Sequence, residues 1–111
     1  MKKAVEVYVG IDVSKAWLDE AVHEQKEVTR FSNDDAGIAN LVKVLKKRKP
    51  KLIVLEPTGG FEMLVVAELS QAGLPVAVVN GKRIRDFAKA TGQIAKTDKL
   101  DAVWLAKIAE W

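Results

Sequence analysis

Four acidic residues occupy positions at which a catalytic site could form: Asp12, Glu56, Asp98 and Asp101. Asp12 ends a stretch with strand-like alternation, and Glu56 ends a second, wholly apolar run. Asp98 and Asp101 are three residues apart, so a helix would project both from one face. If the first two segments are neighbouring strands, a helix packed across their ends would complete a cluster of carboxylate oxygens.

Such a cluster is expected to bind divalent cations, because four close carboxylates repel one another unless positive charge compensates them. Oxygen ligands suit Mg²⁺ or Mn²⁺. Two such ions about 3.5–4 Å apart can activate a nucleophile and stabilise the leaving oxygen of a phosphodiester. The chemistry that this pattern predicts is phosphoryl transfer.

Each acid also has an ordinary structural interpretation. Asp12 could cap a turn, and Asp98 and Asp101 could be first-turn acids that favour any helix. For Glu56 the structural and functional interpretations are balanced, since a charge on a buried strand is costly unless it is paired. The conjunction of the four acids favours the catalytic interpretation.

The hydrophobic pattern predicts the elements that would position these acids. They are strands at about 5–12, 16–23 and 27–31, a helix at 34–49, a strand at 52–56, a helix at 61–71, a strand at 75–79, a short helix near 83–89 and a helix at 98–111. Asn33-Asp34-Asp35 should cap the first helix, Pro50 should stop it, and Gly73 should close the second. The final helix should bury a stripe formed by Leu100, Val103, Trp104, Ile108 and Trp111.

Three hairpin strands followed by strand–helix units predict an α/β fold with a mixed five-stranded sheet and helices on both faces. This is the ribonuclease H-like order. Actin-like ATPases and sugar kinases open with the same order, so the N-terminal lobe of such an enzyme is one alternative. That class needs a Gly/Thr-rich phosphate loop after Asp12, where Val13-Ser14-Lys15 stands instead.

The composition is that of a single globular domain in a cytoplasmic setting. The chain has 111 residues, 49% of them hydrophobic and 30% charged, and it has no cysteine, which excludes disulfides and zinc–thiolate sites. We expect no membrane segment. The net charge of +3 permits a polyanionic partner without requiring one.

Basic residues cluster beside the proposed site in sequence: Lys82, Arg83, Arg85, Lys89 and Lys96. They could contact nucleic-acid phosphates, or they could form a solvated loop. Thr58-Gly59-Gly60 could bind phosphate, although a tight turn beside the metal site is the simpler interpretation. The tryptophans are expected mainly in the core.

Three segments, YVGIDVSK, LEPTGG and VNGKRIRDFAKATGQIAKTDKLDAVWLAKIAE, resemble the signature blocks of the DEDD transposase family. This family includes bridge-RNA-guided insertion-sequence recombinases and pilin-gene invertases. The similarity runs from about Tyr8 to Glu110, and Lys-Thr-Asp-x-x-Asp-Ala in the last block is its most specific part.

The resemblance implies a RuvC-like catalytic domain over residues 1–111 in which Asp12, Glu56, Asp98 and Asp101 hold divalent metal. It also implies DNA as substrate, a structured guide RNA as a further partner, homo-oligomers of the full-length protein, and action at the nucleoid. Family members continue into a C-terminal domain with a catalytic serine, and no serine of this chain lies in a matching motif. A non-catalytic nucleic-acid-binding or oligomerisation module of the same fold is the remaining alternative.

Overall fold

The computed structural model describes residues 6–82, 86, 90 and 102–110. In these ranges the strands are β1 (Tyr8–Val13), β2 (Trp17–Val22), β3 (Val28–Ser32), β4 (Leu52–Leu55) and β5 (Val76–Val78). The helices are α1 (Asp35–Arg48), α2 (Met63–Gln71) and α3 (Ala102–Glu110). This is the predicted order. The short helix expected near 83–89 falls largely outside the described residues.

The five strands form one mixed sheet in the order β3-β2-β1-β4-β5. β1 pairs antiparallel with β2, and β2 with β3, because short turns join them. β4 runs parallel to β1, and β5 parallel to β4, because a helix precedes each of them as a crossover. The predicted mixed five-stranded sheet is confirmed.

The ends of α1 follow the predicted signals. The Asp34 carboxylate accepts a hydrogen bond from the backbone N–H of Gly37 at 2.8 Å, which satisfies an otherwise unpaired donor of the first turn. Lys49 ends the helix in a left-handed conformation with φ of 51° and donates from its backbone N–H to the Leu45 carbonyl at 3.1 Å. Pro50 follows directly.

The first face of the sheet is covered by α1 and α2 over a core of large aliphatic side chains. Val9, Ile11 and Val13 alternate on β1 toward this core. It also contains Leu18, Val22, Ile38, Leu41, Leu45, Ile53, Leu55, Val65 and Leu69, all buried. The opposite face is covered in part by α3, whose Leu105, Ile108 and Ala109 pack with Val54. Helices therefore lie on both faces, as predicted.

Close packing of α3 depends on Gly10 of β1. A Cβ atom at position 10 would overlap the Ala102 carbonyl and the Ala106 backbone nitrogen. The predicted apolar stripe of the last helix was partly wrong: Val103 is 48% exposed, while Ala102, Leu105 and Ala106 are buried with Ile108 and Ala109. Small side chains are buried here because the helix backbone approaches the sheet so closely. Leu100 and Trp111 lie outside the described residues.

One acidic residue is buried within the first face. Glu20 of β2 is 1% exposed, and its Oε2 lies 2.8 Å from Nε of Arg48 at the end of α1. This closest contact does not meet hydrogen-bond geometry, whereas Nη2 of Arg48 donates to Oε1 of Glu20 at 3.3 Å. Burial raises the pKa of Glu20, and Arg48 opposes that shift.

No helix in the described ranges is long and apolar enough to cross a membrane.

Candidate metal and nucleic-acid site

Asp12 and Glu56 lie at neighbouring positions of adjacent parallel strands. Ile11 is the register partner of Leu55, and Asp12 and Glu56 are the next residues along their chains. Both lie on the side of the sheet that carries Gly10 and α3, because side chains alternate along a strand. Both are partly exposed. The predicted juxtaposition of these two acids at one sheet edge is therefore consistent with the register.

A further acid, Asp19, continues this row on β2, where it is the register partner of Asp12. Its carboxylate accepts two hydrogen bonds from Arg30 of β3, at 2.8 Å from Nε and 3.1 Å from Nη2. The hydrogen bond to Asp19 and the charges of Asp19 and Asp12 raise the pKa of the Arg30 guanidinium. Arg30 therefore offsets like-charge repulsion between the two register partners.

The position of Asp19 was missed in the sequence, although its signal is present. Alternation along β2 groups Asp19 with Trp17 and Ala21, but only the hairpin register shows that this set shares a face with Asp12. Trp17 itself contradicts the expectation of a core tryptophan, since it is 44% exposed. The guanidinium of Arg30 lies 5.1 Å from the centre of its ring. Trp17 and Asp19 reach solvent, whereas Ala21 of the same set is buried.

A pocket of about 220 Å³ opens beside Asp12, lined also by Asp19, Val28, Ala102 and Val103. Ala102 is the first residue of α3 and directly follows Asp101 in the sequence. Asp98 and Asp101 themselves lie outside the described residues, so their convergence with Asp12 and Glu56 stays a prediction. Among the residues that the structure describes, no group of three His, Asp or Glu side chains could hold a metal ion.

Glu56 lines a second pocket of about 410 Å³ together with Lys82 and the chain after β5. The Lys82 side chain is 82% exposed, and its ammonium lies 3.2 Å from the Asp86 carboxylate. A surface pair of this kind is weak and exchanges with other ions. Lys82 is thus placed beside a predicted metal ligand. The other basic residues of the predicted nucleic-acid segment, Arg83, Arg85, Lys89 and Lys96, lie outside the described ranges.

The side chain of Glu62 closes the turn that follows Glu56. Oε1 of Glu62 accepts hydrogen bonds from the backbone N–H groups of Thr58 at 2.8 Å and Gly60 at 3.0 Å. These bonds, led by that from Thr58, lower the pKa of Glu62. The N–H groups that could have bound a phosphate are therefore already occupied, which favours the tight-turn interpretation. α2 begins at Met63, two residues after the predicted start at Phe61.

Comparison with known proteins identifies relatives of this chain. Residues 9–110 match the model of the DEDD transposase family, which is described as a transposase. The pilin gene-inverting protein of Moraxella lacunata is 30% identical over 107 residues, covering 90% of this chain and 33% of that protein. The pilin gene-inverting protein of Moraxella bovis matches equally well over the same share. The chain spans about a third of the length of these relatives.

A solved structure confirms the fold. The RuvC structure from Thermus thermophilus superposes with a TM-score of 0.57 and 15% sequence identity, covering 93% of this chain and 89% of that one. The ribonuclease H-like, RuvC-like fold expected from the element order is thereby confirmed. Since the family model spans β1 through α3 and includes the acid-bearing strand ends, this chain belongs to the DEDD transposase family.

Proposed function

We propose that this chain is the N-terminal catalytic domain of a transposase or site-specific recombinase and that it carries out divalent-metal-dependent phosphoryl transfer on DNA. The observation that supports this most directly is the register of β1 and β4, which gives Asp12 and Glu56 neighbouring positions at a partly exposed sheet edge.

The proposed metal ligands are Asp12, Glu56, Asp98 and Asp101. The donor set fits Mg²⁺ or Mn²⁺, because carboxylate oxygens are the ligands that these hard cations prefer. Bound at this edge, a pair of such ions would supply Lewis-acid stabilisation of a phosphodiester. The chain's own part is to hold Asp12 and Glu56 on two adjacent strands, with Arg30 bound to Asp19 at their side.

The proposed substrate is DNA, contacted by Lys82 and by the predicted residues Arg83, Arg85, Lys89 and Lys96. Lys82 supports this because its exposed ammonium borders the Glu56 pocket, where it could neutralise a phosphate next to the reacting one. A structured guide RNA and homo-oligomerisation are proposed for the full-length protein, from the family resemblance alone.

Thermal melts with and without Mn²⁺ test the metal site. Mn²⁺ at about 100 times its dissociation constant should stabilise the chain by about 2.7 kcal/mol, because the ions bind only the folded state. Asp12→Asn combined with Asp101→Asn should abolish this gain. Asp35→Asn, which removes one negative charge from an exposed position on α1, serves as the control and should keep it. An equal response in the double variant would refute site-specific binding.

Binding of DNA to the 111-residue chain tests the substrate. Affinity should fall as salt rises, because phosphate neutralisation releases counterions. Lys82→Ala should weaken binding more than Lys43→Ala, which removes an exposed lysine from α1. We expect binding without strand exchange, since the family resemblance attributes the nucleophile to a serine that this chain does not match. Recombinant junctions formed by the chain with DNA and Mg²⁺ would contradict that expectation.

A further inference from the structure

One side chain outside the acid set connects the loops that follow Asp12 and Glu56. Nδ2 of Asn33 donates hydrogen bonds to the carbonyl of Ser14 at 2.9 Å and to the carbonyl of Phe61 at 3.0 Å. Ser14 lies two residues after Asp12, and Phe61 lies five residues after Glu56. A single amide thus joins segments that are 47 residues apart in sequence (61 − 14).

The assignment of this amide follows from chemistry. Both partners are backbone carbonyls, which can only accept, so the NH₂ end of Asn33 must face them. A carboxylate of the same shape would place an acceptor against two acceptors. The planar amide of asparagine supplies two donors from one nitrogen, one for each carbonyl.

Asn33 is itself firmly held. Its backbone N–H donates to the Ala16 carbonyl at 2.9 Å, which fixes it to the β1–β2 turn. The next residue, Asp34, caps α1 and also accepts a hydrogen bond from the Ser32 hydroxyl at 2.8 Å. Gly37 allows the α1 backbone to lie directly against Ser32, where a Cβ atom would overlap the Ser32 carbonyl. The amide is therefore presented from a rigid strand-to-helix corner.

Each of the two joined loops is also rigid by itself. The backbone N–H of Ser14 donates to the Trp17 carbonyl at 2.9 Å, and the Ser14 hydroxyl accepts from the Trp17 N–H at 3.2 Å. On the other side, Glu62 closes the turn at residues 58–60. Because both loops are stiff, a tie between them constrains the strand ends from which they leave.

We propose that Asn33 is a positioning residue that fixes the ends of β1 and β4 relative to each other and thereby holds Asp12 and Glu56 at the spacing that metal binding requires. The role in metal binding rests on the proposed function. The connection that Asn33 makes between the two loops does not rest on the proposed function, because it can be measured in metal-free protein. Groups that orient metal ligands from outside the coordination sphere commonly contribute tenfold or more to affinity.

The test compares Asn33→Ala with Asn40→Ala, which removes an exposed amide from α1. The first measurement is amide hydrogen exchange of the metal-free chain. Asn33→Ala should speed exchange at Ser14 and Trp17 in one loop and at Thr58 and Gly60 in the other, while Asn40→Ala should leave both loops unchanged. If Asn33→Ala does not fold, Asn33→Ser replaces it, with a smaller effect in the same direction because the hydroxyl can still serve one carbonyl.

The second measurement is Mn²⁺ affinity, with Mn²⁺ alone as the probe and at a temperature where every variant is folded. Asn33→Ala should raise the dissociation constant roughly tenfold. Faster exchange in only one loop, or in neither, would overturn the tie. Faster exchange in both loops with unchanged Mn²⁺ affinity would show a purely structural role and overturn the positioning role. If Asp12→Asn leaves Mn²⁺ binding unchanged, the proposed function is contradicted, and the positioning role of Asn33 is contradicted with it. The hydrogen-exchange result would still decide whether Asn33 joins the two loops.

Discussion

The two faces of the sheet hold acidic side chains in different environments. On the face covered by α1 and α2, Glu20 is buried and its charge is met by Arg48. On the face that α3 covers only in part, Asp12 and Glu56 remain partly exposed at the strand ends, and Asp12 lies opposite a further acid, Asp19. The face covered by α1 and α2 therefore buries its acid beside a cation, whereas the other face holds its acids where solvent reaches them, with Arg30 bound to Asp19.

This difference predicts which acids serve the fold and which belong to the proposed site. A buried acid with its own cation contributes to the arrangement of strand and helix, and removing its partner should cost stability. Acids that solvent reaches at the strand ends contribute less to the core, so substitutions there should cost less stability. Substitutions on the two faces should therefore separate loss of stability from loss of binding.

Arg48→Met should have the largest effect on stability. It leaves the Glu20 carboxylate buried without a cation, which should cost about 3 kcal/mol at neutral pH. Adding Glu20→Leu should recover much of this loss, because two apolar side chains can replace a buried pair. Urea unfolding of the single and double variants measures both steps. If the double variant Arg48→Met, Glu20→Leu is as unstable as Arg48→Met alone, the Glu20–Arg48 pair contributes to stability through more than its charges.

The same variant has a predictable pH dependence. Burial raises the pKa of Glu20 above its ordinary value of 4.5, so the folded state binds this proton more readily than the unfolded state. Stability from this group is therefore greatest below 4.5 and declines as pH rises through the raised pKa. The free energy of unfolding that Arg48→Met loses relative to the unsubstituted chain should become smaller as the pH is lowered from about 7 to about 5. A loss that grows over this range would contradict the assignment.

Gly10→Ala should have the next largest effect, and it tests the packing of α3 on the open face. The added methyl group overlaps backbone atoms of Ala102 and Ala106, so the helix must move. Overpacking of this kind costs about 1–3 kcal/mol. Amide exchange should accelerate in α3 and remain slow in α1, which lies on the other face. Unchanged exchange in α3 would show that the close approach is not required.

Glu62→Gln should have a smaller effect, confined to the turn after Glu56. The amide oxygen is a weaker acceptor than the carboxylate for the N–H groups of Thr58 and Gly60. Because these bonds lower the pKa of Glu62, its contribution is present above the ordinary value of 4.5 and is lost as pH falls through the lowered pKa. The difference in melting temperature between the unsubstituted chain and Glu62→Gln should therefore vanish in strong acid. A difference that persists there would exclude the charge as its cause.

Asp12→Asn should have the smallest effect on the metal-free protein, within about 0.5 kcal/mol. It removes one of two like charges at opposed register positions, Asp12 and Asp19. The same substitution should nevertheless weaken the stabilisation by Mn²⁺. Chemical unfolding with and without Mn²⁺ measures the two effects separately. A large loss of metal-free stability would place Asp12 with Glu20 among the structural acids.

Much of the fold could be predicted because its signals are local. Alternation defined β1, the apolar run defined β4, and Asp34, Pro50 and Gly73 marked helix ends where the structure has them. The face of α3 was harder to predict, since Ala102 and Ala106 are buried through close backbone packing and not through large apolar side chains. Hydrophobicity alone does not report the distance between a helix and a sheet.

The candidate site also has features that local sequence signals predict and features that they do not. The sequence by itself determined the acid types, their positions at the ends of strands and the family signature, because these depend on residue identity and spacing. Only the tertiary structure decided that β1 and β4 pair in a register that aligns Asp12 with Glu56, that Asp19 joins them, and that Asn33 ties their loops together. Register and long-range hydrogen bonds depend on how distant segments meet, and no local pattern of residues encodes that meeting.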